Sequence, residues 1–216
     1  MTAPGDLVQS PDLPDLEPAD IETHEADGGL DLSGVLVCGG ATEASRIRIT
    51  ESELQGVEVQ AAHVPGLALS DAVLRDCSCS NVDARDARLS RVEIHRSRLV
   101  GLGLTRADIR DLRITGSTLQ LASFAGARIR GAVLDGVNLT DASFMGAVLE
   151  GVEFADCRLT GTDFRDARLT GCAIRGAALD GVLGVESLRG VRMPWADVLA
   201  STAALAAALG IEVDGT

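Results

Sequence analysis

The sequence predicts an all-β solenoid, one repetitive domain of about seven to eight coils that ends in a C-terminal α-helical cap. Three observations support this fold class. Every fifth residue from Ile49 to Leu179 is apolar, over 27 consecutive positions. A second column of small or apolar residues lies two positions before the first. Aromatic residues make up only 2% of the 216 residues, so the core must consist of small and aliphatic side chains stacked in a regular way.

The five-residue period fits neither a strand, with a period of 2, nor an α-helix, with a period of 3.6. Two inward residues separated by one outward residue form a short extended step, and the two remaining residues form a corner. Gly, Asp or Asn mostly occupies the second position after the large apolar residue, where a turn needs unusual backbone angles. Four steps and four corners close a square turn of 20 residues, and stacked coils at ~4.8 Å give a rod roughly 30–35 Å long.

Three triplets match the pattern A(D/N)LXX: Ala107-Asp108-Ile109, Val137-Asn138-Leu139 and Thr162-Asp163-Phe164. Over roughly residues 30–190 the chain resembles the pentapeptide-repeat proteins. This resemblance implies a right-handed quadrilateral parallel β-helix. The departures from the family pattern are mild, since the middle position is often Arg, Ser or Val.

Residues 20 apart should stack on one face of such a solenoid. Phe124, Phe144 and Phe164 therefore form one aromatic ladder, and Phe154 lies on another face. The large apolar column also assigns four leucines to the structural core: Leu134, Leu139, Leu149 and Leu169.

Residues 1–29 contain four of the six prolines and most of the acidic excess of the chain. This composition predicts a disordered acidic tail. The tail is either a solvated leader or an arm that docks on a basic partner surface or on the protein's own arginine-bearing face. Residues 30–46 show the same two-column spacing, offset by two residues, and indicate an irregular first coil whose offset is absorbed between Cys38 and Arg46.

The net charge of −13 is unevenly distributed. Nine acidic residues lie within residues 1–31, which leaves 23 acids against 19 arginines in the rest of the chain. The face that carries Leu89 and Ile109 collects seven arginines against five acids. Its candidate interaction stripe is either a solvated, partly salt-bridged surface or a surface for an acidic partner. The stripe consists of Arg88, Arg110, Arg128, Arg130 and Arg168.

Residues 183–216 leave the five-residue register, and residues 191–216 are expected to form the cap. Pro194 suits the start of a helix and Gly210 its end, which predicts one amphipathic helix over about residues 195–209. Its apolar face should close the end of the solenoid, either as a cap alone or as a cap that also forms a homodimer surface, as the resemblance implies. This face comprises Trp195, Val198, Leu199, Leu205 and Leu209.

No catalytic, cofactor or metal-binding pattern is found. The three histidines have no partner at catalytic or ligand spacing, and the glycines mark corners and not a phosphate loop. Five cysteines, mostly in the inward columns, favour reduced thiols and a cytoplasmic protein; no secretory signal or membrane span is expected.

The sequence thus favours a non-catalytic protein-interaction or scaffold module with an unidentified protein partner. The resemblance also implies an alternative, because some family members are acidic rods that mimic DNA, bind topoisomerases such as gyrase and protect them from quinolone drugs. The near-neutral body and the arginine stripe argue against this alternative. Direct nucleic-acid binding is not expected, because no aromatic residues are interleaved with the arginines.

Overall fold

The structure is a computed structural model that describes residues 8–60 and 62–211, without the side chains of Thr23, Glu25 and Gln60. It is a parallel β-solenoid of about eight turns with a pair of C-terminal helices. The first seven and last five residues of the predicted tail and cap lie outside the described residues. The strands are β1 Glu17–Ala19, β2 Glu25–Ala26, β3 Gly29–Ser33, β4 Val35–Cys38, β5 Ala41–Thr42, β6 Arg46–Gln55, β7 Glu58–Gln60, β8 Ala68–Arg75, β9 Ser78–Ser80, β10 Arg88–His95, β11 Asp108–Thr115, β12 Arg128–Asp135, β13 Val148–Ala155, β14 Arg168–Thr170 and β15 Ala173–Arg175.

From β6 onward, paired residues are 20 positions apart, as in Leu69↔Leu89 and Leu89↔Ile109. Each coil therefore has four faces, which we name A to D in chain order by their inward apolar columns. The columns are face A (Ile49, Leu69, Leu89, Ile109, Ile129, Leu149, Leu169), face B (Leu54, Leu74, Ile94, Ile114, Leu134, Phe154, Ile174), face C (Val59, Cys79, Leu99, Leu119, Leu139, Leu159, Leu179) and face D (Val64, Ala84, Leu104, Phe124, Phe144, Phe164).

Faces A and B are strands, whereas faces C and D pair mainly through isolated bridges. The corners between C and D, and between D and A, are closed turns: the Ala122 N–H donates to the Leu119 carbonyl (3.1 Å), and the Ala127 N–H to the Phe124 carbonyl (3.0 Å). The third residue of such a turn has positive φ, as in type II turns. Between A and B the strand bends at one positive-φ residue, for example Asp71 (φ 50°).

The four phenylalanines form one cluster in the C-terminal half of the core. Phe124 and Phe144 stack with centroids 4.8 Å apart, and Phe144 and Phe164 with centroids 5.2 Å apart. Phe154, on face B, meets both Phe144 and Phe164 edge-on. Leu134, Leu139 and Leu149 are buried as well. Leu169 is only half-buried, because β14 pairs on one side with β13 and is the last strand of face A.

The first coil is shorter than the others. Leu32 pairs with Ile49 and Thr42 pairs with Val59, and both intervals are three positions shorter than the interval between Arg48 and its partner Ala68. The offset seen in the sequence is therefore absorbed between Thr42 and Arg48, close to the predicted place.

The described part of the N-terminal segment is ordered, which differs from the disordered tail expected from its composition. Residues 17–19 form β1, which pairs with β4, and β2 pairs with β3. A 3-10 helix over Ile21–His24 buries Ile21 in the core. The edge of the first coil offers unpaired backbone groups and apolar surface, and these give the segment the partners that its own composition lacks.

The C-terminal cap is two short helices, α1 Trp195–Ala200 and α2 Thr202–Ala208, and not the single helix predicted. The two helices meet at Ser201, whose side chain is buried and accepts a hydrogen bond from the Leu179 N–H (3.2 Å). Asp197 Oδ2 accepts one from the Gly176 N–H (2.7 Å). The last coil therefore receives polar partners for its backbone N–H groups.

The predicted lid is wrong for three of its five residues, because Trp195, Leu199 and Leu209 are exposed. Val198 and Leu205 are half-buried, and only Leu205 of the predicted set packs directly against the core. The reason is that the cap turns its polar groups toward the backbone N–H groups at the end of the coil, which leaves the larger apolar side chains on the outer surface.

Candidate interaction surfaces

Three corners of neighbouring coils carry ion pairs between residues one coil apart. Arg96 donates through Nε and one Nη to both carboxylate oxygens of Asp76 (2.9 and 2.8 Å). Arg106 binds Asp86 in the same way (2.9 and 2.8 Å), and Arg91 binds Asp71. These guanidinium groups hold the pKa of each partner carboxyl below its usual range. The carboxylates at these corners are therefore neutralised within the molecule.

The predicted stripe lies on face A, divided between two outward columns. By register, the first column contains Arg88, Arg128 and Arg168, and the second contains Arg110 and Arg130. Both arginines of the second column bind Asp108, at 3.4 Å from Arg110 and 2.9 Å from Arg130. Burial acts to raise the pKa of Asp108, but these two hydrogen bonds outweigh it and the pKa is lowered. The second column is thus partly salt-bridged.

The first column has a regularity that the sequence interpretation missed. Arg48, Arg88, Arg128 and Arg168 recur in this column at every second coil, and all four are exposed. Between them, in the same column, lie Ala68, Asp108 and Val148. Within the part of the chain that the structure describes, none of the four forms an ion pair or a side-chain hydrogen bond. We call these four residues the arginine ladder; a search of the sequence at twice the coil period would have found it.

A shallow groove follows face A beside the ladder. Its lining includes two arginines of the ladder, three hydroxyl groups and one small side chain: Arg48, Arg88, Thr50, Ser70, Ser90 and Ala68. The lining also includes Arg110, the Asp108 carboxylate and apolar side chains of the face A column, so the groove combines positive charge with hydroxyl groups and one carboxylate.

The corner between faces A and B is occupied by the N-terminal arm, which we define as residues 8–16. The Gln9 N–H donates to Asp111 Oδ1 (3.3 Å), and the Asp12 N–H donates to Asp71 Oδ1 (3.2 Å). The arm thus crosses the coils lengthwise, and it leaves the ladder column uncovered by any hydrogen bond or ion pair of residues 8–16. The arm thus lies at the edge of the arginine-bearing face that the sequence alternative names, but its two hydrogen bonds go to aspartates of that face and not to its arginines.

Face D is flanked by charge and neutral at its centre. Arg85 binds Asp83 near one end and lowers the pKa of that carboxyl to about 2, and Arg165 binds Asp163 near the other end. The outward residues between these pairs are small or polar, apart from the exposed Met145. The centre of this face is therefore uncharged, and its ends carry paired charges.

The outer side of the cap is the most apolar part of the described surface. Trp195, Leu199, Leu209 and Ile211 are all more than half exposed, and all four belong to the short C-terminal segment that follows the solenoid. Such a group of large apolar side chains is typical of a surface that contacts another protein.

The five cysteines are free thiols. Burial raises the pKa of Cys79 to about 12 and that of Cys157 to about 11, so these side chains stay protonated. No three His, Cys, Asp or Glu side chains among the described residues gather in an arrangement that could hold a metal ion. Within residues 8–60 and 62–211, no helix is long and apolar enough to cross a membrane.

Comparison with known proteins identifies the repeat. A family model described as "Pentapeptide repeats" matches in eight copies, over residues 52–101, 103–141, 122–161 and 147–183. Curated protein sequences give no match. Among solved structures, the chain is similar to HetL, a pentapeptide repeat protein involved in heterocyst differentiation regulation from Nostoc sp. strain PCC 7120, at 20% identity over 83% of this chain and 90% of HetL, with a TM-score of 0.47.

A second similar structure is trypsin-treated QnrB1, a plasmid-mediated fluoroquinolone resistance protein, at 19% identity over 93% of this chain and 100% of that one, with a TM-score of 0.45. At these levels of identity and TM-score, neither structure bears on function. The family model, in contrast, matches more than half of the residues of the chain. The chain belongs to the pentapeptide repeat family.

Proposed function

We propose that this protein is a non-catalytic interaction scaffold that presents the outer faces of its solenoid to a protein partner. The proposal rests on the difference between inward and outward side chains of the repeat. The inward columns pack in the core, whereas the outward side chains lie at fixed positions with an inter-coil spacing of ~4.8 Å. Face A presents the arginine ladder, four exposed arginines that form no ion pair within the described residues.

The outer side of the cap supports a second contact, between two copies of the chain. Trp195 and Leu199 on α1 and Leu209 after α2 expose apolar area that a homodimer would bury. We expect Trp195→Ser with Leu199→Ser to convert a dimer to a monomer in sedimentation-velocity experiments, without loss of the solenoid's circular-dichroism spectrum. Wild-type protein that sediments as a monomer at tens of micromolar would contradict this contact.

The DNA-mimic alternative finds no support in the charge arrangement. A mimic of a phosphate backbone needs rows of free carboxylates. Here the outward carboxylates of Asp76, Asp86 and Asp163 are each bound by an arginine, and the ladder on face A is cationic. In a gyrase supercoiling assay we therefore expect neither inhibition nor drug protection at micromolar concentrations of the protein.

A reducing compartment, the cytoplasm, suits the cysteines. Cys77, Cys157 and Cys172 are buried in the inward small column, where they pack as small apolar side chains.

The experiment that tests the proposed function is affinity capture with the full chain, followed by titration calorimetry with the purified captured protein. We expect direct, saturable binding with defined stoichiometry. If the purified proteins do not bind without other components of the extract, the proposal is wrong.

A further inference from the structure

We infer that the arginine ladder binds an acidic, proline-rich segment of a partner protein in the polyproline II conformation, with a carboxylate at every third residue. This inference rests on the proposed function, because it names the chemistry of the partner that the scaffold binds. The spacing of the ladder, the repeat of polyproline II, the contacts of the chain's own arm and the charge of face A support it.

The spacing comes from the register. Successive arginines of the ladder lie two coils apart, as Arg88 and Arg128 do, since both pair in register with Asp108 between them. Two coil spacings of ~4.8 Å therefore separate their backbones by about 9.6 Å. The three intervals from Arg48 to Arg168 cover about 29 Å.

Polyproline II is the extended conformation that matches this spacing. It has three residues per turn with a rise of ~3.1 Å, so every third side chain returns to the same side after about 9.3 Å. Four such side chains span ~28 Å and differ from the ladder by only ~1 Å over its whole length. A β-strand fits poorly, because side chains that are three residues apart in a strand point to opposite sides. A nucleic-acid strand places a phosphate every ~3.4 Å along its axis, which is much closer than the arginines.

The chain's own N-terminal arm has the same spacing, with three residues of the arm spanning two coils. Gln9 and Asp12, three residues apart, donate to Asp111 and Asp71, which are two coils apart. The arm continues with a doubled tripeptide, Pro11-Asp12-Leu13-Pro14-Asp15-Leu16, a sequence that favours polyproline II. Its leucines are half-buried and its aspartates exposed. The solenoid therefore already holds an acidic, proline-rich segment lengthwise, three residues to two coils, at the corner between faces A and B.

The ladder lies along the other side of face A from this corner. The outward columns of face A carry six arginines against three acids, Asp31, Asp108 and Glu150, in a chain whose net charge is −13. A single exposed ion pair contributes little to binding, so the affinity must come from several pairs in register. Binding should accordingly weaken as salt shortens the range of the charges.

The test is fluorescence anisotropy with the full chain and a labelled peptide, (Pro-Asp-Ser)4, which places four carboxylates at the spacing of the ladder. The matched peptide has the same composition with its four aspartates in one block. The ladder variant is Arg88→Gln with Arg128→Gln. Its control is Arg98→Gln with Arg158→Gln, which removes two exposed arginines from face C. Circular dichroism checks that both variants keep the fold.

We expect the periodic peptide to bind at least tenfold more tightly than the block peptide. The ladder variant should weaken its binding at least tenfold and the control variant less than twofold. Equal binding of the two peptides, or equal loss in the two variants, would reduce the effect to overall charge and overturn the inference. Tighter binding of single-stranded DNA than of the periodic peptide would overturn it as well.

Two further outcomes separate the possible failures. If the ladder variant abolishes self-association of the chain, the occupant is the arm of a second copy and not a partner protein, and the inference is wrong. If a captured partner binds the ladder variant with unchanged affinity, the inference about the ladder fails while the proposed scaffold function stands.

Discussion

At the scale of single residues, the corners set the shape of the solenoid. From Glu51 to Gly181, every described residue at the second position after the large apolar one has positive φ. Most of these residues are Gly, Asp or Asn, as the sequence indicates, but five others adopt the same conformation: Glu51, Arg91, Arg96, Arg106 and Leu121. For residues other than Gly, the positive-φ conformation costs roughly 1–2 kcal/mol of conformational free energy. The packing of the repeat therefore imposes this conformation against the local preference of these residues.

Substitution of two glycines distinguishes the cost of a positive φ angle from the cost of a close approach between coils. Gly184 (φ 70°) lies so close to the preceding coil that an added Cβ would be 2.3 Å from the Arg165 backbone nitrogen, whereas at Gly151 (φ 64°) an added Cβ meets nothing within 4 Å. We expect Gly151→Ala to lower the free energy of unfolding by about 1 kcal/mol. Gly184→Ala should lower it by roughly 2 kcal/mol more, because the coils must separate. Urea unfolding measures both, and equal losses would rule out the close approach.

At the scale of elements, the aromatic stack holds the C-terminal coils together. Phe144 lies between Phe124 and Phe164 and meets Phe154 edge-on, so it is the centre of the cluster. Phe144→Ala should lower the free energy of unfolding by ~3–5 kcal/mol, because the cavity cannot collapse between stacked coils. Phe144→Leu, which fills most of the space, should cost less than half as much. Chemical denaturation tests the pair, and similar losses for both variants would contradict the tight stack.

The cap depends on one buried hydroxyl group. Ser201 Oγ accepts from the Leu179 N–H, and Ser201→Ala would leave that N–H buried without its partner. We expect a loss of about 1–3 kcal/mol in the free energy of unfolding. In Thr202→Ala, at an exposed position, the loss should be well under about 1 kcal/mol. Hydrogen exchange at the Leu179 amide gives a local readout, and unchanged protection in Ser201→Ala would show that the cap closes the coil by other means.

At the scale of the whole molecule, the arginine–carboxylate pairs make stability depend on pH. Hydrogen bonds from Arg91, Arg96 and Arg106 lower the pKa of their partner carboxyls in the folded state, and Arg85 lowers that of Asp83 to about 2. The unfolded value is ~3.9, so the folded protein binds fewer protons. The stabilisation is therefore complete above pH ~4 and is lost as the pH falls toward 2.

We expect the urea midpoint to stay level between pH 7 and 5 and to fall steadily below pH 4. The double variant Asp71→Asn with Arg91→Gln removes the least exposed of the three corner pairs and should show a smaller fall over the same range. A midpoint that rises between pH 4 and 2 would have the wrong sign for depressed carboxyl pKa values.

The periodic features could be predicted from the sequence because every coil places the same types of residue in its core and at its corners. The inward columns, the corners and the stack of Phe124, Phe144 and Phe164 all follow from one register. The arm could not be predicted, because its contacts join Gln9 to Asp111 and Asp12 to Asp71, which are far apart in the sequence and outside any repeat. The exposure of Trp195 was missed for a similar reason. Polar groups of the cap accept hydrogen bonds from backbone N–H groups of the last coil, and a pattern of apolar residues does not predict these contacts.

The proposed scaffold function requires that the outward side chains of the solenoid bind a partner protein. Arginine modification with phenylglyoxal, mapped by mass spectrometry with and without a captured partner, measures which side chains that partner covers. We expect the partner to protect arginines of one solenoid face, with Arg88 and Arg128 protected more strongly than Arg98 and Arg158. Protection that is equal on faces A and C, or absent from all four arginines, would contradict it.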